Sequence, residues 1–234
     1  MLRTLILSFV TIDQRAIQDV TKRTRMSNKP FEVKQTTHSS TEYRFNLVGY
    51  VAEEEYYSEL LHVLRVANPS DKIHLHISSP GGYISTMTQI LHNMEICQAE
   101  IVGHLEGICH SAATFIFLGC DNWVINPDAM LLFHAISSST FGESHKMVAD
   151  AEATHEWGKR LAKRYYSPFL TKKEIKKLIN GKDFWMFGDE VQERLQNNVI
   201  PHIEKEQQAA EDALREETRK QLLELAESCQ ESDS

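Results

Sequence analysis

Three residues of this chain have the side-chain types of a nucleophile, a proton acceptor and a carboxylate that orients the acceptor. Ser111 follows a glycine by four residues and precedes two alanines, so small neighbours leave room for a substrate carbonyl group. His134 comes directly after the apolar run Met130–Phe133, and Asp183 stands before an aromatic pair further along. When a serine, a histidine and a carboxylate meet in a fold, they can carry out covalent acyl transfer.

A glycine pair forms a further candidate element, in the segment Ser79-Pro80-Gly81-Gly82 after a predicted strand. Glycine lets the backbone approach a ligand closely, and N–H groups at a helix start can bind a phosphate, a peptide carbonyl or a developing oxyanion. The turn alone is a weak signal, because many strand-to-helix turns contain paired glycines without a function.

Each of the three candidate residues also has an ordinary structural interpretation. A serine at a helix start is commonly an N-cap, and the local sequence by itself favours that role for Ser111. His134 at a strand end can be a structural histidine, and Asp183 can cap the helix that follows. Only the combination of all three residues favours chemistry over these roles.

The hydrophobic pattern predicts strands that alternate with helices, which is typical of an α/β fold with crossover connections. The predicted strands are Tyr43–Val48, Lys72–Ile77, Ile101–Leu105, Trp123–Ile125 and Met130–Phe133. The predicted helices are Glu53–Ala67, Tyr83–Ile96, Ser111–Leu118, Lys146–Tyr166, Lys172–Ile179 and Gly188–Leu195. A second glycine turn is expected at Gly107, and Asp183 is expected where the chain turns between two helices.

The pattern divides the chain into three parts. Residues 1–40 are polar and irregular and are interpreted as an N-terminal arm, and residues 41–200 form the predicted α/β domain. Residues 201–234 are rich in Glu, Gln, Lys and Ala, which indicates a charged helical tail. A solvated helix is the simpler interpretation of this tail, and a partner-binding helix is the alternative.

Composition excludes several classes of protein. The net charge of −8 argues against a nucleic-acid-binding surface, which normally carries an excess of basic residues. The apolar stretch Leu2–Ile12 is far too short to span a membrane and lacks a small-residue cleavage site. The four cysteines show neither a CxxC pair nor a disulfide framework, so a cytoplasmic location is expected.

Taken in order, these motifs resemble the proteolytic subunit of the Clp (caseinolytic) protease, within the wider crotonase-like fold. That family carries S-P-G-G after a strand, then G-x-A-A-S, then a strand that ends in histidine, then an aspartate before an aromatic-Met turn. The corresponding segments here are residues 79–82, 107–111, 132–134 and 183–186, and the resemblance extends from about Tyr43 to Val199.

The resemblance implies a crotonase-like α/β fold of repeated β-β-α units and a serine endopeptidase that hydrolyses unfolded polypeptides. Ser111, His134 and Asp183 would form the catalytic triad, and the N–H groups of Gly82 and Ala112 would form the oxyanion hole. No cofactor and no metal are required. The family assembles heptameric rings, usually stacked face to face as tetradecamers, and works with a separate AAA+ ATPase. This chain itself contains no GxxxxGK[ST] motif.

The chain departs from the family pattern beside its motifs. His110 replaces the alanine before the nucleophile, and Ala112-Ala113 replaces Met-Gly after it. Ala135-Ile136 replaces the Gln-Pro that normally follows the histidine. Gly181-Lys182 replaces an acidic–Arg pair that helps to couple two rings, so the usual ionic contact between rings is not expected here.

Three alternatives stand beside the peptidase. A crotonase-type acyl-CoA enzyme would use the same glycine turns for a thioester oxyanion, but it would not need the three triad residues together. A relative of signal-peptide peptidases would need a Ser–Lys dyad, and no matching lysine is found. A non-catalytic ring or scaffold protein would keep the triad residues without aligning them. His110 and the altered ring-contact residues Gly181-Lys182 are the features that favour this alternative.

Overall fold

Within residues 40–232, which the computed structural model describes, a mixed sheet is flanked by helices. The strands are β1 (Glu42–Val48), β2 (Lys72–Ser79), β3 (Glu100–His110), β4 (Asn122–Ile125), β5 (Met130–Phe133) and β6 (Phe184–Phe187). The helices are α1 (Ser58–Val66), α2 (Ile84–Ile96), α3 (Ala112–Leu118), α4 (Ser144–Tyr165), α5 (Lys172–Ile179), α6 (Gly188–Arg194) and α7 (Ile200–Ser232). The predicted α/β class with a helical C-terminal region is therefore confirmed, and the predicted arm over residues 1–40 lies almost wholly outside the described residues.

The sheet has the strand order β1-β2-β3-β5-β6, and β4 pairs with β3 beside this path. All pairings are parallel except that of β5 with β6. Strand β3 pairs with two strands in succession: Val102–Leu105 pairs with β4 and Ile108–His110 pairs with β5. The end of β3 therefore lies next to β5, and the candidate residues lie near these strand ends.

Alternation along β2 explains where the core forms. Ile73, Leu75 and Ile77 are buried, whereas His74 and His76 point to the opposite face. Apolar residues of α1, α2 and α3 join the same buried cluster as the β2 isoleucines and leucine. The helix α3 is buried along its entire length, so the residue that precedes it is held by a rigid part of the molecule.

Two local predictions are wrong. Gly107 lies inside β3 rather than in a turn, because the strand continues to His110 across an irregular register with β2. A Cβ atom at Gly107 would lie 2.8 Å from the Ser78 hydroxyl oxygen, so the glycine permits close packing of the two strands. Asp183 does not lie between two helices, since β6 follows it directly and α6 begins only at Gly188.

No helix within residues 40–232 is long and apolar enough to cross a membrane. The same part of the chain holds no group of three or more His, Cys, Asp or Glu residues arranged to bind a metal ion.

Candidate active site

Ser111 occupies the junction between β3 and α3 in a backbone conformation that is rare for an L-residue. Its φ is 54° and its ψ is −124°. Such conformations cost of order 1–3 kcal/mol and persist only where the surrounding structure holds them. Ser111 stands at the N-cap position of α3, but its hydroxyl makes no capping hydrogen bond. The serine side chain is therefore not used to stabilise the helix.

The backbone of Ser111 is held on both sides. Its N–H donates to the carbonyl of Leu132 on β5 at 2.9 Å. Its carbonyl accepts from the Thr114 hydroxyl at 2.6 Å, and the Thr114 hydroxyl lies 2.8 Å from that of the fully buried Tyr166. Because the one hydroxyl proton of Thr114 goes to Ser111, Tyr166 must donate to Thr114.

Thr114 and Tyr166 are not among the site residues that the sequence suggests. The position of Thr114, three residues after the nucleophile candidate, could have pointed to it as a support of the first turn of α3. Tyr166 is 52 residues further along the chain than Thr114, and no sequence pattern connects the two.

The ladder between β5 and β6 brings His134 and Asp183 opposite each other. The last antiparallel pair that it contains is Phe133 with Phe184, and the next pair along the same register is His134 with Asp183. Ser111 reaches the same end of the sheet through its bond to Leu132. The three predicted triad residues therefore lie on the ends of three neighbouring elements.

The side chains of these three residues are not linked by hydrogen bonds. Within residues 40–221, the Ser111 hydroxyl, the His134 ring and the Asp183 carboxylate form no hydrogen bond or ion pair. His134 is half-buried and Asp183 is exposed. Hydrogen bonds of a catalytic site are often long or poorly aligned in the free protein and tighten when the substrate binds.

The glycine turn after β2 packs directly against the candidate nucleophile. Gly81 has a φ of 90°, and a Cβ atom there would lie 2.7 Å from the Ser111 Cβ and 2.9 Å from the Ala112 nitrogen. No side chain fits at this position, so the backbone of the turn forms one wall around Ser111.

Gly82 continues the turn by pairing with Val51. Val51 donates to the Gly81 carbonyl at 2.9 Å, and Tyr83 donates to the Val51 carbonyl at 2.8 Å. In a parallel bridge of this kind the N–H of Gly82 itself points away from Val51, towards the side of the sheet on which β3 lies. The N–H of Ala112, in the first turn of α3, has no acceptor within the helix. The N–H donors of Gly82 and Ala112 thus have no partner among the described residues.

His110 is the least expected residue of the site. Its Nε2 atom is buried and has no hydrogen-bond partner among the described residues, and its ring lies edge-on to Trp185 with the centroids 5.4 Å apart. Burial, and to a lesser extent the neighbouring His134, lowers the pKa of His110. Burial also raises the pKa of the Cys109 thiol, which argues against Cys109 as a competing nucleophile.

A narrow pocket adjoins His134 between β5, α4 and α5. Its volume is about 20 Å³, which is room for about one water molecule. Ile136 and Gly158 narrow it, since a Cβ atom at Gly158 would lie 3.0 Å from the Ile136 Cδ1. Lys159 and Ile179 also line it.

The histidines of β2 lie away from this site and form a cluster with β3. The Nδ1 of His74 lies 2.9 Å from the Nε2 of His104, and the rings of His76 and His104 stack with centroids 4.4 Å apart. The Nδ1 of His76 is also 2.6 Å from a Glu106 carboxylate oxygen. These contacts make the strand face that carries His74 and His76 a polar one.

A serine in a strained conformation beside a glycine turn, with a histidine at the end of the adjacent strand, is a combination of features that serine-type hydrolases use. The sequence model of the family described as Clp protease matches residues 50–202, well over half of the 234-residue chain. The chain belongs to the Clp protease family. This membership assigns it a serine-protease type of function, and the mixed α/β sheet with its helical C-terminal region is consistent with the Clp protease fold.

Proposed function

We propose that this chain is a serine endopeptidase subunit that hydrolyses peptide bonds of unfolded polypeptides, with Ser111, His134 and Asp183 as its catalytic triad. The observation that carries the proposal is the backbone of Ser111, which is held at a φ of 54° while its hydroxyl makes no hydrogen bond. A serine that only capped a helix would need neither the strain nor the unused hydroxyl.

In the proposed reaction the Ser111 oxygen attacks the carbonyl carbon of the scissile peptide bond while His134 accepts its proton. His134 then passes the proton to the leaving amine, which departs and leaves an acyl ester on Ser111. Water hydrolyses this ester in the same way and restores the serine. Asp183 orients the imidazole ring and stabilises its positive charge.

The oxyanion formed in the attack is proposed to accept hydrogen bonds from the N–H groups of Gly82 and Ala112. The support for this assignment is that the Gly81–Gly82 turn touches Ser111 and Ala112 and that both N–H groups lack other acceptors among the described residues. Loss of one such donor typically costs about 3 kcal/mol of transition-state stabilisation.

The proposal extends to assembly, as family membership suggests it. The chain would form homo-oligomeric heptameric rings, either single or stacked as tetradecamers, that enclose the active sites in the cytoplasm. Unfolding of substrates would come from a separate AAA+ ATPase, because the chain carries no phosphate-binding loop of its own. The triad chemistry requires no cofactor and no metal.

A non-catalytic ring or scaffold protein is the second candidate function. The observation that favours it is the lack of hydrogen bonds between the side chains of Ser111, His134 and Asp183 within residues 40–221. His110, in the place where the family pattern has alanine, adds a bulky ring next to the nucleophile.

A fluorophosphonate probe distinguishes the two candidates, because it reacts with an activated serine and not with an ordinary one. We expect the probe to label the assembled protein at Ser111, as located by mass spectrometry, and to label neither Ser111→Ala nor, at a comparable rate, His134→Ala. Unfolding curves of the variants should match the unchanged protein. Absence of labelling in a correctly assembled oligomer would favour the scaffold.

A further inference from the structure

A basic groove lies between α4 and α5, next to the pocket at His134. Its volume is about 580 Å³. Four lysines and two isoleucines form most of its walls: Lys159, Lys163, Lys172, Lys176, Ile175 and Ile179. In a chain whose net charge is −8, such a local concentration of lysines stands out.

The lysines form two rows that face each other. Lys159 and Lys163 are four residues apart on α4, and Lys172 and Lys176 are four residues apart on α5. Residues at this spacing lie on the same side of a helix, about 5–6 Å apart. The two rows therefore line the groove along its length, with apolar side chains between them.

The charge of the groove is poorly compensated. Lys159 pairs with Glu156 at 3.2 Å, but Lys163, Lys172 and Lys176 form no ion pair within residues 40–221. The nearby Glu174 carboxylate is bound by Arg194 at 3.0 Å and by Thr171. Repulsion between lysines that have no counterion favours the binding of an anionic ligand.

The groove lies next to the candidate active site. Lys159 and Ile179 line both the groove and the narrow pocket that contains His134. A polypeptide bound at Ser111 would reach the groove by passing over these two side chains. This adjacency, together with the positive charge of the groove, makes an acidic substrate segment the occupant that fits it.

We infer that the groove between α4 and α5 binds acidic segments of the polypeptide substrate, so that the peptidase favours substrates with Asp or Glu on one side of the scissile bond. The inference rests on the proposed function. The carboxylates of the substrate would pair with the two rows of lysines, and its apolar side chains would contact Ile175 and Ile179.

The first test compares two fluorogenic peptides that share a scissile sequence and carry either an oligoglutamate or an oligoglutamine extension. We expect kcat/KM for the acidic peptide to be about tenfold higher at low salt and to fall towards that of the neutral peptide as salt screens the lysines. The double variant Lys172→Gln/Lys176→Gln should lose this preference and cleave the neutral peptide as before.

The same helix supplies a matched control. Lys173→Gln/Lys177→Gln removes the same charge from α5, but neither of these lysines lines the groove. The control variant should keep the preference for the acidic peptide. Equal cleavage of both peptides by the unchanged protein, or an equal loss of preference in the control variant, would overturn the inference while leaving the peptidase proposal intact.

A binding measurement tests the groove even if no peptide is cleaved. Fluorescein-labelled oligoglutamate should bind to full-length Ser111→Ala, as detected by fluorescence anisotropy, more tightly than labelled oligoglutamine. Adding Lys172→Gln/Lys176→Gln should weaken the binding of oligoglutamate about tenfold or more. Binding that is insensitive to these substitutions would refute the groove. Lysine-dependent binding, together with no cleavage of either peptide by the unchanged protein, would refute only the peptidase proposal.

Discussion

Two groups of histidines on the same sheet show opposite kinds of local structure. In the cluster of β2 and β3, His74, His76 and His104 contact one another by a short nitrogen–nitrogen contact and by stacking, and His76 also pairs with Glu106. His134, at the end of β5, has no side-chain hydrogen bond within residues 40–221. By polar contacts alone, the cluster is the better organised of the two.

The backbone conformations of the two groups rank them in the opposite order. No residue of the cluster has a positive φ, whereas Ser111, beside His134, is the one described non-glycine residue that does. A buried ring nitrogen without a partner occurs in both groups, the Nε2 of His110 beside Ser111 and the Nε2 of His74 in the cluster. What distinguishes the site at Ser111 is its backbone, with a strained serine and two N–H donors that have no partner among the described residues. Backbone strain, rather than a dense network of side-chain contacts, therefore indicates the reactive site.

The most direct test of this contrast removes one histidine from each group. His134→Ala should reduce peptidase activity roughly 10⁴- to 10⁶-fold, because the serine would lose its proposed general base. His104→Ala should leave kcat/KM within about twofold, since its ring contacts only the other histidines of the cluster. Steady-state cleavage of an unstructured fluorogenic peptide measures both effects.

The two variants also serve as controls for each other, provided that both remain assembled by analytical ultracentrifugation. A comparable loss of activity in both would mean that the cluster takes part in the chemistry. An unchanged rate in His134→Ala would remove this histidine from the mechanism.

The second prediction concerns the glycine wall beside the nucleophile. Gly81→Ala would bring a methyl group to within 2.7 Å of the Ser111 Cβ and so displace the turn that carries the Gly82 donor. We expect kcat to fall about 10²- to 10³-fold, the usual effect of losing an oxyanion donor. Activity and urea unfolding should be measured on the same sample.

Gly49→Ala is the matched variant, because Gly49 also has a positive φ, of 79°, but an added methyl group there would meet no described atom within 4 Å. It should cost about 1 kcal/mol of stability through the backbone alone and leave kcat unchanged. If the two alanine variants lost the same activity, general destabilisation would explain the effect and the glycine wall would have no special role.

Much of the fold is accessible from the sequence because its signals are local. The prediction for β5, Met130–Phe133, and that for α5, Lys172–Ile179, agree with the structure at both ends. The predicted helix Glu53–Ala67 agrees to within one residue at each end with the helical segment, which the structure divides into a 3₁₀ turn, Glu54–Tyr57, and α1. The order of the candidate catalytic residues is visible for the same reason, since each belongs to a short motif.

The parts that the sequence does not reveal depend on distant partners. Phe184–Phe187 is too short to show a period, and it becomes a strand because β5 offers it an antiparallel edge. The sequence predicts a turn at Gly107 because a glycine commonly marks one. Its actual role, to allow the close approach of Ser78 from the neighbouring strand, cannot be seen in the local sequence. The support of Ser111 by Thr114 and Tyr166 likewise joins residues that only the folded chain brings together.

The smallest expected effect concerns the protonation of His104 and its influence on stability. Burial, then the charges of His76 and His74, lowers the pKa of His104, so the folded protein binds a proton there less readily than the unfolded chain. Stability from this residue is therefore fully present above the unfolded pKa of about 6.5 and is lost as the pH falls below it. His104→Gln should show a smaller drop in the urea midpoint between pH 7.5 and 5.5 than the unchanged protein. His92→Gln, at an exposed position on α2, should show the full drop. If His104→Gln and the unchanged protein lost stability in parallel, the cluster would not be linked to protonation, and its dense contacts would serve packing alone.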